Sequence, residues 1–189
     1  MSDANAAGAV PAVDGTCTEF GFDYDDVDDA EVADKLRSFG RRYRAPLTRG
    51  LPGESLDDLL RAHPLEGVWS ALEYACHVRD VFSVQRARVA QALAEDRPTY
   101  APMGREERVV NDRYNEQDPA TVVDDLAANA EAMAAACAAL TADQWARRGI
   151  YTYPTPTERD LRWLARHTIH EGNHHLLDVA RVLRAARGR

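Results

Sequence analysis

Apolar residues recur at helical spacing along most of the chain, and nowhere with the sustained alternation of a half-buried strand. Between Ala30 and Arg44, the positions Val32, Leu36, Phe39 and Tyr43 predict a first helix that stops at Pro46. Gly50, Pro52 and Gly53 mark a turn, and a short helical segment follows. A second helix is predicted from Val68 to Glu95, ending before Pro98. Asp118 as N-cap and Pro119 at the first helical position open an alanine-rich third helix. The fourth is predicted to start in a capping box, Thr155 to Glu158, and to run to Ala186. Four long amphipathic helices predict an all-α fold, a four-helix bundle with a crossover connection between helices two and three. The segment 97–117 that makes this connection is expected to be an extended, exposed, charged loop bearing Arg105, Arg108, Arg113 and Tyr114.

Composition narrows the class. The 189 residues suit one domain, with residues 1–29 as a disordered or irregular acidic segment and 30–189 as the bundle. A net charge of -8 argues against a general nucleic-acid binder. No apolar run approaches the ~20 residues of a membrane span, and the N-terminus has neither the basic start nor the apolar core of a signal peptide. A soluble cytoplasmic protein is expected, with a homodimer as the assembly if it associates. Cys17, Cys76 and Cys137 are too few and too scattered for a disulfide framework. Cys76 and Cys137, in apolar helical context, read as small core residues.

The candidate chemistry lies in HTIHEGNHHLLD, residues 167–178, which holds four of the six histidines. On a helical wheel with Trp163 at zero, His170, His174, His167 and Asp178 fall between ~-20° and ~+60°, and His175 falls near ~120°. His170 and His174, at i and i+4, have the spacing at which two imidazoles on one helix face reach one ion. A third ligand must come from another helix, and His77 in the second is the candidate. The expected metal site is therefore His77, His170 and His174, binding a divalent ion, with zinc and nickel the first choices. Glu73, one turn before His77, and His167, on the ligand stripe, are the candidate catalytic residues. Asp178 is placed to orient an imidazole or to pair with Arg181. His175 is expected to be a packing or surface residue, and His63 a surface residue. His170, Glu171 and His174 also complete the H-E-x-x-H pattern of zinc proteases, but no strand edge for a peptide and no third ligand downstream accompany it.

The stretches GVWSALEYACHVRDV and WLARHTIHEGNHHLLDVARVL resemble the DinB-like superfamily of four-helix metalloproteins, over about residues 30–186. The resemblance implies a divalent metal on His77, His170 and His174, with an open face. It also implies a low-molecular-weight thiol such as mycothiol as cosubstrate, attacking an electrophile. The leading expectation is thus a metal-dependent thiol S-transferase; the alternatives are a metal-dependent hydrolase and a non-catalytic metal-binding stress-response protein. CTEFGFDYD is similar to the CxxCGF opening of some relatives, with Phe20 in place of the second cysteine. Cys17 alone is expected neither to bind metal nor to cycle redox.

Overall fold

The computed structural model describes residues 16–17 and 19–188; the disorder expected for the first residues falls on positions 1–15, outside them. A two-stranded hairpin, β1 (Thr16–Cys17) and β2 (Phe22–Asp23), precedes α1 (Asp29–Thr48), α2 (Leu56–Arg61) and α3 (Ala71–Ala94). Then come α4 (Arg105–Asn111), α5 (Pro119–Ala138) and α6 (Ala142–Trp145). A second hairpin, β3 (Arg148–Tyr151) and β4 (Thr157–Asp160), leads into α7 (Leu161–Ala186).

The bundle is α1, α3, α5 and α7, with α1 and α3 each packed against both α5 and α7. The helical periodicity places its core: Leu36, Phe39 and Tyr43 from α1, Leu72 and Phe82 from α3, Leu126 and Met133 from α5, and Leu164 and Val179 from α7 are buried. Segment 95–118 leaves the C-terminal end of α3 and returns to its first turn, where the Ser70 hydroxyl donates to Asn115 Oδ1 at 2.7 Å. Consequently α3 and α5 begin at the same end of the bundle. None of the helices among the described residues is long and apolar enough to cross a membrane.

Local structure departs from the sequence expectations at four places. Helix α1 runs through Pro46 to Thr48, its last turn held on the core by buried Leu47. Strands are present: Thr157 and Glu158 pair with Tyr151 and Ile150 instead of opening a helix. The Glu158 carboxylate is taken by Arg97 at 2.6 Å and Arg148 at 3.1 Å, so it does not close a capping box on Thr155. Asp160 caps α7 instead, its Oδ1 accepting from the Trp163 amide at 2.8 Å. The 97–117 segment is partly helical and partly core: Tyr100 and Tyr114 are buried, and the Tyr114 hydroxyl donates to Asp80. Arg113 stays at the surface with Glu116. Finally, Cys17, Tyr24 and Val27 are buried, so the acidic segment ahead of α1 packs on the bundle where it is described.

Candidate metal centre

Helix α3 starts from a complete capping box: the Ser70 hydroxyl accepts from the Glu73 amide at 3.1 Å, and Glu73 Oε2 accepts from the Ser70 amide at 2.7 Å. This settles where Glu73 goes. Its carboxylate serves the helix end and pairs with His63 at 2.8 Å, rather than facing the metal-ligand cluster. His63, expected at the surface, is half exposed and bound to that carboxylate.

One turn on, His77 points into the bundle, 2% exposed, with no hydrogen-bond partner on either ring nitrogen. What it meets on α7 is a different i, i+4 pair from the one its sequence favours. His77 Nε2 lies 4.0 Å from Glu171 Oε2, and His175 Nε2 lies 3.5 Å from the same oxygen. His77, Glu171 and His175 form one cluster whose ligand atoms all fall within 4.8 Å of one another. His170 and His174 do not join it. They stand on the adjacent face of α7, where Phe20, Phe22 and Tyr24 of the N-terminal hairpin cover His170 at ring separations of 5.5 to 5.7 Å.

The cluster suits a divalent ion. A buried imidazole with both nitrogens unsatisfied is costly unless something binds there. Two imidazoles and one carboxylate are a donor set of catalytic zinc sites, which keep further positions open. His175 is oriented as well: its Nδ1 bonds Asp178 Oδ2 at 2.9 Å, which directs Nε2 toward Glu171 and the centre. Asp178 also meets Arg181 at 3.3 Å, so both roles expected of it coexist. Asp178→Asn should lower divalent-metal affinity by roughly 10–100-fold with the helical circular dichroism unchanged, as for the loss of an outer-shell partner. Unaltered affinity would remove Asp178 from the centre.

Charge in the cluster follows the packing. Burial opposes the charge on Glu171, yet the imidazoles of His170, His175 and His77 hold its carboxyl well below the usual carboxylate range. Burial pushes His77 down to about 4. For His175 burial also works against charge, but Asp178 and Glu171 outweigh it and lift the imidazole to about 9.

A cavity of about 340 Å³ opens on this cluster. His77, Glu171 and His175 are in its wall with His167, Trp163, Tyr151 and Met103. Of the two residues expected to be catalytic, His167 is here and Glu73 is not. His167 is gripped on both nitrogens, Nδ1 to the Tyr24 hydroxyl at 2.9 Å and Nε2 to the Tyr151 hydroxyl at 3.1 Å, and it stacks on Trp163. Burial lowers its pKa to about 4, so the ring is neutral near pH 7. Arg88 also lines the cavity, bonded to Gln85 Oε1 and the Ala101 carbonyl, with no carboxylate partner among the described residues.

The sequence profile of the DinB superfamily matches residues 39–179. The chain belongs to the DinB superfamily. Among solved structures it is similar to YfiT from Bacillus subtilis, with a TM-score of 0.74 over 82% of this chain and 86% of that one, at 15% identity. YfiT is described as a probable metal-dependent hydrolase with an unusual four-helix bundle topology. At that identity the likeness concerns the fold. No curated protein matches the chain. The DinB match takes in all three members of the cluster, His77, Glu171 and His175, and stops short of the N-terminal hairpin.

Proposed function

We propose that this DinB-superfamily protein is a divalent-metal-dependent hydrolase of a small molecule, with His77, Glu171 and His175 as ligands. The observation that carries the reading is the convergence of these three groups, two of them buried histidines, on the wall of a cavity with room for a substrate. A bound ion supplies Lewis acidity and a nucleophile at neutral pH, from water in hydrolysis or from a thiol in thiol transfer. The likeness to YfiT, itself described as a probable metal-dependent hydrolase, supports hydrolysis.

The chain's own residues supply the rest. His167, neutral and held between two phenols, is placed to take a proton at one ring nitrogen while the other stays bonded. Arg88 brings positive charge to the wall and favours a substrate with an anionic group. Tyr151, Trp163 and Met103 give the remainder an apolar surface. Thiol transfer is the second reading, supported by the size of the cavity, which accommodates a thiol and an electrophile together.

The test is hydrolysis of small esters and amides, neutral and anionic, by metal-depleted and zinc- or nickel-loaded protein, with and without added low-molecular-weight thiol. Loaded protein should hydrolyse without thiol and prefer the anionic member. His167→Gln should lower kcat by roughly 10²-fold while metal content holds, the scale of a lost general acid–base group. Turnover that requires thiol would shift the assignment to transfer, and no turnover in either condition would overturn both enzymatic readings.

A further inference from the structure

Helix α7 carries two interleaved pairs at i, i+4 spacing, and the centre at His77 uses one of them. The other, His170 and His174, is buried without being satisfied. His170 is 0% exposed and neither ring nitrogen has a hydrogen-bond partner; His174 Nδ1 has none either. Leaving such groups unpaired in a covered position is costly unless something binds there. Beside them stands Cys17 on β1, 5% exposed and free of any disulfide. The Cys17 sulfur and one nitrogen from each histidine lie within 4.8 Å of one another.

We propose that Cys17, His170 and His174 form a second metal site, closed by Glu19, which clamps the N-terminal hairpin onto α7. A thiolate with two imidazoles is a donor set that selects zinc. Tetrahedral zinc places sulfur and nitrogen ligands about 3.5 Å apart, so the site closes with roughly 1–1.5 Å of approach. Glu19 Oε2 lies 3.1 Å from His174 Nδ1 at an orientation that makes no hydrogen bond. The two atoms are neighbours, as two ligands of one ion are, and their orientation does not make them donor and acceptor to each other. The other Glu19 oxygen is held by Arg181 at 2.9 Å, which fixes the carboxylate. Four protein ligands make a structural site. Cys17 has no second cysteine near it in sequence; its partners come from α7, some 150 residues on.

The site shares no ligand with the centre at His77, and its consequence reaches the cavity. The same hairpin segment carries Tyr24, whose hydroxyl holds His167. Securing the hairpin fixes one of the two partners of that imidazole.

The experiment is a cobalt(II) titration of the metal-depleted full chain, followed by bound stoichiometry and by the near-ultraviolet thiolate-to-cobalt band. Wild type should take two ions per chain and show the band. Glu171→Gln should keep one ion and the band; Cys17→Ser should keep one ion and lose it. Zinc should also slow alkylation of Cys17 in the wild-type chain at least tenfold relative to chelator, read by peptide mass, a measurement that needs no variant to fold. A wild type without the band, a Glu171→Gln protein that loses it, or Cys17 alkylated equally fast with and without zinc would overturn the site.

Discussion

Glu171→Gln should abolish divalent-metal binding at the His77 centre and, with it, any metal-dependent turnover. The change keeps the shape of the side chain and removes the only negative charge among the three ligands. Glu171 lies within 3.5 to 4.0 Å of imidazole nitrogens of His77, His170 and His175. A neutral amide offers a weaker donor and turns an N–H group toward the ion half the time. The loss should exceed the roughly 10–100-fold that an outer-shell change costs. Calorimetric titration of zinc into the metal-depleted protein measures it, and an affinity within tenfold of wild type would exclude Glu171 as a ligand. The same titration carries a pH signature. His175, raised to about 9, is protonated at pH 7 without metal, and the ion must displace that proton. Wild type should therefore release about one proton per ion at pH 7, and affinity should climb roughly tenfold per pH unit until about pH 9. Comparing binding heats in buffers of different ionisation enthalpy reads the proton directly.

A large effect on stability is expected at Gly172. A Cβ there would stand 2.6 Å from Phe39 Cζ, with two further ring atoms at 2.8 and 2.9 Å. Phe39 is fully buried and sits against Phe82 and Tyr43, so the ring has nowhere to turn. Tyr43 donates to the Gly172 carbonyl at 2.8 Å, which pins the backbone at the same point. Gly172→Ala gains about 1 kcal/mol in helix propensity and loses roughly 1–3 kcal/mol to overpacking. With three ring atoms inside 3 Å the upper end of the penalty applies. A net cost of about 1–2 kcal/mol should lower the thermal midpoint by roughly 2–8 °C in a chain of this size. Metal affinity should fall as well, because pushing α7 off α1 moves the adjacent Glu171. A variant as stable as wild type would mean that this contact does not set the spacing of the two helices.

Helical periodicity suffices for the bundle and for the helices that hold the metal ligands, because the buried positions of α1, α3, α5 and α7 repeat at 3.6-residue spacing. The rotation of α7 is harder to read. HEGNHH contains two i, i+4 pairs one residue apart, and the histidine pair is the more conspicuous. The buried positions Leu161, Leu164, Ala165, Thr168, Ile169, Gly172, Val179, Val182 and Leu183 carry the missing signal. His175 lies ~45° from the centre of that stripe, whereas His174 lies ~145° and His170 ~175° from it. A ligand arriving from α3 through the bundle interior meets the histidine nearest the apolar face. Glu73 leaves the expected site for a different reason: at N3 of its helix, a carboxylate is claimed by the exposed amides of the first turn. The covering of His170 by Phe20, Phe22 and Tyr24 has no local signal, since it depends on a contact across some 150 residues of chain.

That covering bears on where the working unit begins. The superfamily match starts at residue 39 and the first bundle helix at Asp29, yet Tyr24, which holds the cavity residue His167, lies further upstream. A fragment trimmed to either boundary would retain every ligand of the His77 centre. It would strip the aromatic cover from His170 and leave His167 with one phenol, that of Tyr151. Occupancy of the His77 centre alone would not reveal the defect; loss of the ion that needs Cys17 and the altered protonation behaviour of His167 would.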